Sequence, residues 1–266
     1  MSAEVGLPQF DGVIWEVDGR GVATVTIDRA DKLNAIDGAV MDGLVALFER
    51  FHQDPAIRAV VLTGKGTRGF CAGRDLVDAG DGDTGGAELR MRGHGRNMFE
   101  AILECGKPTV AAVFGYTLGG GAELALACDV RIAGSTLSMG FPEARVGLGA
   151  NFGSVMLPRV VPLGIAYDLL YTARRVDADE ALRIGLVNRV VPSEELASAA
   201  SEYAGLLAGN APVTLQRYKA MIGKGLSLPV AAALRLDASP NPYVSNDRRE
   251  GVAAWRDRRE PNWTGT

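Results

Sequence analysis

Three cysteines and two histidines are the whole supply of soft metal ligands in this 266-residue chain. Cys71, Cys105 and Cys128 form no Cys-x-x-Cys pair, and together with His52 and His94 they do not make a zinc site, so no metal is expected. Their odd number argues against a disulfide scaffold, and reduced thiols fit the cytoplasm. Long apolar runs are missing too: no stretch approaches the ~18 consecutive apolar residues of a membrane span. The opening MSAEVGLPQFDG has neither the basic nor the apolar region of a secretory signal. Net charge is −4 and no Lys/Arg cluster is large enough to hold a phosphate backbone, so neither membrane nor nucleic acid is an expected partner. Arg248, Arg249, Arg256, Arg258 and Arg259 gather near the end, but acids interleave with them and they read as a solvated helix face.

What remains is the composition of a globular cytoplasmic enzyme, 47% apolar and 23% charged, long enough for one large domain or a core with an appendage. VIWEV (13–17) and VATVTI (22–27) flank the turn Asp18-Gly19-Arg20-Gly21 and predict a hairpin. From Asp37, which suits a helix cap, Val40, Met41, Leu44, Leu47, Phe48 and Phe51 recur at helical steps. AVVLT (59–63) predicts a buried strand leading into the turn-rich loop Gly64–Gly73. The polar stretch DAGDGDTGG (78–86) reads as a long loop, which in a compact domain is usually functional. Helix is expected over 87–105, strand over 109–113, helix over 120–128 and strand over 129–133, with further strand–loop–helix units to Val191. The remaining pattern is helical at 193–209, 212–226, 229–237 and 244–257. The fold class is therefore α/β, with a core over residues 1–195 and a helical region over 196–266.

Chemistry is expected at two glycine-bearing loops. Phe70-Cys71-Ala72-Gly73-Arg74-Asp75-Leu76 follows an apolar strand, and its small residues let backbone approach a ligand, although a structural turn has the same look. A nucleophilic Cys71 would need a base beside it, and neither histidine is placed by the sequence to serve, so packing is its expected role. The second loop, Gly115-Tyr116-Thr117-Leu118-Gly119-Gly120-Gly121-Ala122-Glu123, follows a buried strand and opens an Ala/Leu-rich helix. Free amides at a helix start favour a negative oxygen. The chain has neither GxxxxGK[ST] nor GxGxxG there, so the segment suits an oxyanion better than a nucleotide. Glu123 alone is explained equally well as a first-turn acid on the helix dipole. Twenty residues on, Gly140-Phe141-Pro142-Glu143-Ala144 presents a second carboxylate, and two acids on successive strand ends can share one cleft as an acid–base pair.

The runs FCAGRDL, KPTVAAVFGYTLGGGAELALACDVRIA, FPEARVGLG and RRVDADEALRIGLVNRVVP resemble the enoyl-CoA hydratase/isomerase (crotonase) superfamily, from DRADKLNAID to the C-terminal helices. The resemblance implies a crotonase-like spiral of ββα units with the active site in residues 1–195, and a helical trimerisation part over 196–266. The homotrimer is often doubled into a dimer of trimers. It implies an acyl-CoA substrate and no separate cofactor, coenzyme A entering as part of the thioester. Backbone N–H groups of Arg74 and Gly120 would form the oxyanion hole, and Glu123 and Glu143 the catalytic pair. Lys32, Leu33, Ala35, Ala72, Gly73, Asp75, Leu76 and Gly119 would line the coenzyme A and substrate path. One departure stands out. Where many family hydratases carry a Pro-Gly-x-Gly-Gly-like stretch, this chain has Gly149-Ala150-Asn151-Phe152-Gly153-Ser154, so Asn151 and Phe152 are expected at the acyl pocket. A plain helix-capping role for Asn151 is an equal reading. His94 would lie in the acyl-pocket wall, with a surface helical histidine as the default.

Retention of both glutamates points to hydration of a 2-enoyl-CoA to a 3-hydroxyacyl-CoA. In that reading Glu143 delivers a proton to the α-carbon and Glu123 activates water for the β-carbon. Alternatives are Δ3,Δ2-enoyl-CoA isomerisation, which needs one glutamate, and a carnitinyl-CoA dehydratase-like reaction, suggested by EGVAAWRDRREPNW and LPRVVP. A non-catalytic acyl-CoA binder is the rival of another class.

Overall fold

The expected hairpin is present as β1 (Val13–Val17) and β2 (Val22–Ile27), in a computed structural model whose described residues are 9–75 and 97–266. Asp18 holds its turn by accepting from the backbone N–H of Arg20 and Val22. The loop at 78–86, most of the helix expected over 87–105, Leu76 and His94 lie outside the described residues.

Helix α1 (Gly38–Gln53) starts where Asp37 accepts from the Val40 N–H at 2.9 Å. It buries Val40, Leu44, Leu47, Phe48 and Phe51 as one stripe. β3 (Ala59–Gly64) and β4 (Thr109–Val113) are apolar along their length because both faces are covered. Between them, α2 (Met98–Leu103) begins at an Asn97–Glu100 capping box. It ends two residues before the expected limit of 105, with Glu104 as its C-terminal cap and Gly106 close behind.

β5 (Tyr116–Leu118) feeds α3 (Gly120–Ala127), and β6 (Val130–Gly134) leads to β7 (Ser138–Gly140) and α4 (Asn151–Val160). The order β4–β5–α3 and β6–β7–α4 repeats that of β1–β2–α1, giving the expected succession of ββα units. α5 (Leu163–Thr172), β8 (Arg175–Asp177), α6 (Ala178–Arg183) and β9 (Arg189–Val191) complete this part. The main sheet has the order β1-β2-β3-β4-β6-β9, parallel except for β1 on β2. A small sheet, β5-β7-β8, pairs β5 with β7 in parallel and in the register Leu118 opposite Gly140.

Of the C-terminal helices, α7 (Leu196–Ala208) packs on β2, β3, β4 and β6 and buries Leu196, Ala199, Ala200 and Ala204 in the common core. The helix expected from 193 starts as a 3-10 turn over Ser193–Glu195, imposed by Pro192. α8 (Pro212–Gly225) follows, then α9 (Val230–Ala233), one turn rather than the nine residues expected over 229–237, and α10 (Asn246–Asp257). α9 stays short because Val230 and Leu234 are exposed, so no buried face rewards its extension. Among the described residues no helix is long and apolar enough to cross a membrane.

Arg131 ties α3 to the sheet. Its buried guanidinium donates to the carbonyls of Leu186 (2.8 Å), Cys128 (2.9 Å) and Ala125 (3.3 Å), the last two at the negative end of α3. Burial pushes its pKa below the ordinary arginine value. Arg131→Met would orphan these acceptors and is expected to cost about 3 kcal/mol, read from urea midpoints at constant slope. A cost below about 1 kcal/mol would show that other donors replace it.

Candidate active site

Residues 69–75 form no regular strand, yet they are stitched on both edges. On one side Cys71 N–H donates to Tyr116 O and Leu118 N–H to Cys71 O, a parallel bridge of Cys71 with Thr117. On the other, Ala72 N–H donates to Leu33 O, Ile36 N–H to Gly73 O and Asp75 N–H to Ile36 O, a parallel bridge of Ile36 with Arg74. In that bridge the bonds to Ile36 come from the neighbours of Arg74, so the Arg74 N–H itself faces the other way. It faces α3: a β-carbon built on Gly120 would lie 3.7 Å from the Arg74 nitrogen.

Gly120 is the first residue of α3, and its N–H has no partner within the helix. Neither the Arg74 nor the Gly120 N–H has a protein acceptor among the described residues. Both residues are half-buried, so the two donors sit at the wall of a cleft. Gly73 permits their approach. It has φ +99°, and a β-carbon there would stand 2.9 Å from Leu118 O and 3.3 Å from the Gly120 nitrogen.

Register brings the carboxylates to the same place. With Leu118 opposite Gly140, the helix start after β5 and the 3-10 turn Pro142–Arg145 after β7 are neighbours, joined by Gly119 N–H donating to Gly140 O at 3.0 Å. Glu143 therefore reaches over the glycine triplet: a β-carbon on Gly119, whose φ is +53°, would lie 2.9 Å from Glu143 Oε1. Oε2 of Glu143 is buried without a hydrogen-bond partner among the described residues, the kind of unmet acceptor that marks a working site. Burial raises the Glu143 pKa.

Glu123, in the first turn of α3, is buried, and its Oε1 accepts from the Gly153 N–H at 2.7 Å. Burial pushes its pKa up to about 7; the Glu143 charge adds to the rise, while donation from the Gly153 and Phe152 amides opposes it. Two buried acids with raised pKa values, Glu123 titrating near neutrality, can pass a proton between them and a substrate.

The expected coenzyme A segment lies against the loop. Lys32 and Leu33 end a 3-10 turn, and Lys32 Nζ is 3.3 Å from Asp75 Oδ2. Leu33 and Ala35 are half-buried beside Ala72 and Gly73. Phe152 is buried and stacks on Phe99 with centroids 4.9 Å apart. Asn151 is exposed, and its capping role is corrected: the cap is Ala150, with no side-chain bond, because Asn151 is already helical. Cys71 is fully buried, with its thiol pushed up to about 12, which suits packing and not nucleophilic attack.

Asn34, which sequence reasoning passes over, is buried at φ 56° and donates to Lys65 O and Gly69 O while accepting from the Arg29 N–H. The only hint was an Asn in a turn, where the left-handed region suits it.

The family model "Enoyl-CoA hydratase/isomerase" matches residues 18–266. This chain belongs to that family. It is 36% identical over 256 residues to the short-chain-enoyl-CoA hydratase of Clostridium acetobutylicum, covering 95% of this chain and 97% of that protein. It is also 36% identical over 251 residues to the carnitinyl-CoA dehydratase of Proteus mirabilis, covering 92% and 95% respectively. The solved enoyl-CoA hydratase of Bacillus anthracis superposes with a TM-score of 0.89 at 30% identity, over 96% of this chain and all of that one (100%). The crotonase-type α/β fold expected from the sequence is thus present.

Glu123 generates a stability prediction. Its native pKa, about 7, lies above the unfolded value, so the native state holds the proton more tightly and stability falls as pH rises from about 4.5 to 7. Glu123→Gln removes that penalty and keeps an acceptor for Gly153. The variant is expected to gain on the order of 2 kcal/mol over the parent at pH ~8 and to match it near pH ~4.5, by denaturant titration. Equal stability at both pH values would contradict a buried, charge-averse Glu123.

Proposed function

We propose that this chain is an enoyl-CoA hydratase, adding water reversibly to a 2-enoyl-CoA to give a 3-hydroxyacyl-CoA. The observation that carries the reading is the meeting of two acids, Glu123 and Glu143, with two amides, Arg74 and Gly120, that have no acceptor among the described residues. The thioester oxygen accepts from both N–H groups, which hold the enolate charge as it develops. Ionised Glu123 takes a proton from water as the oxygen attacks the β-carbon, and protonated Glu143 delivers a proton to the α-carbon. Dehydration runs the same steps backwards. No cofactor is needed in this scheme; coenzyme A arrives with the substrate, its path lined by Lys32, Leu33, Ala35, Ala72 and Asp75.

The carnitinyl-CoA dehydratase relative favours a second reading within the same chemistry, loss of water from a functionalised hydroxyacyl chain. Double-bond isomerisation would leave Glu123 without a task. A binder without turnover would have no use for raised acids. Exposed Ile222, Leu226, Val230, Leu234, Val244 and Trp255 support assembly through the C-terminal helices, as a homotrimer or a dimer of trimers. Three buried free thiols suit a cytoplasmic enzyme.

Loss of enone absorbance from crotonyl-CoA and longer enoyl-CoAs measures hydration. Glu123→Gln and Glu143→Gln are each expected to slow it by about 10²–10⁴-fold. Migration of a 3-enoyl double bond that survives Glu123→Gln, with no hydration by the parent, would make the enzyme an isomerase. The acids titrate as a pair. Because Glu123 titrates near 7 beside an ionised Glu143, the pair's last proton leaves there, so hydration is expected to fall above about pH 7 as that proton is lost and to fall again at low pH as both acids become protonated. A profile flat over about pH 5–9 would remove the acid–base assignment.

A further inference from the structure

We propose that Arg29 is a positioning residue for the oxyanion hole, acting on the Arg74 amide through the segment that carries it; this rests on the hydratase reading. Arg29 follows β2, remote in sequence from the loop it would hold. Its guanidinium donates to Ala35 O at 2.6 Å, pairs with Asp37 at 2.9 Å and pairs with Asp75 at 3.1 Å. Those three partners are the immediate neighbours of the Ile36–Arg74 bridge: Ala35 and Asp37 flank Ile36, and Asp75 follows Arg74. One planar cation thus grips both strands of the bridge whose twist sets where the Arg74 N–H points.

Among the described residues, Arg29 is also the steadier of the two cations on Asp75. Its side chain is 14% exposed, whereas that of Lys32, on the same Oδ2 at 3.3 Å, is 53% exposed. A lysine so exposed holds its partner weakly, and screening loosens it further. Asp37 is simultaneously the cap of α1, accepting from Val40, so Arg29 couples the loop to that helix. Such a clamp matters catalytically because an amide shifted by a fraction of an ångström stops following the charge that develops on the thioester oxygen.

The test compares Arg29→Met and Arg29→Lys with the parent. Hydration kinetics, thermal midpoints and the infrared carbonyl stretch of bound butyryl-CoA carrying a labelled thioester carbonyl would be measured. Butyryl-CoA cannot be hydrated, so its stretch reports polarisation whatever the reaction proves to be. Arg29→Met is expected to lower kcat by about 10–10²-fold with KM within about threefold, and to return the bound stretch towards its value in water. Arg29→Lys, which keeps the charge but not the planar three-way grip, should recover part of both. An unchanged stretch and unchanged kcat in either folded variant would overturn the proposal, as would a rise in KM alone. Should Arg29→Met fail to fold, Arg29→Lys decides by the same readouts. A parent that polarises butyryl-CoA but hydrates no enoyl-CoA would sink the hydratase reading while leaving the clamp to be judged by the stretch.

Discussion

The site depends on one loop being held by backbone pairing on both edges. Residues 71–75 lie between Leu33–Ile36 on one side and Tyr116–Leu118 on the other, and each edge uses up the donors that face it. What remains is the Arg74 N–H, turned towards the first free N–H of α3. Any change to either edge would move one donor relative to the other, and two donors a few ångströms apart are useful only at fixed spacing. In the proposed reaction the side chain at 74 is of little consequence to the donor, so an arginine can stand where the amide is to receive the thioester oxygen.

The acids follow from the same pairing. Because β5 and β7 run parallel with Leu118 opposite Gly140, the ends of both strands open on one side, and Glu143 arrives over Gly119 while Glu123 rises from the helix that Gly119 starts. Both are taken out of water by that arrangement, and burial is the first cause of both raised pKa values. The amides of Phe152 and Gly153 temper Glu123 enough to leave it titrating near neutrality and not locked neutral. The stretch that departs from the usual glycine-rich pattern thus still supplies the donor that Glu123 needs.

Much of this was legible in the residues. The hairpin, α1, β3 and β4 carry strong periodicity or unbroken apolar runs; the strand limits match within a residue, and α1 starts at the expected Asp37 cap. The glycine triplet followed by Glu123, and the Phe-Pro-Glu turn, pointed to chemistry only as a pair, since Glu123 alone reads equally as a first-turn acid on a helix dipole. The three-residue strands β5, β7 and β8 were not legible, being too short for alternation to show. Nor were Asn34, Arg29 and Gly153, each of which has a partner 30 or more residues away, at Gly69, Asp75 and Glu123 respectively. Helical pattern over-predicted α9, since amphipathic spacing forms a long helix only where a surface receives the apolar side.

The central claim is that water adds across a thioester-activated double bond while an acid of the protein protonates the α-carbon. Mass and NMR analysis of product formed from crotonyl-CoA in heavy-oxygen water made up in deuterium oxide tests it directly. The account predicts 3-hydroxybutyryl-CoA with the heavy oxygen at the β-carbon and a single deuterium, in one configuration, at the α-carbon. Recovery of unhydrated thioester, with deuterium washed into the acyl chain and no heavy oxygen, would contradict it and show that the two acids only move protons.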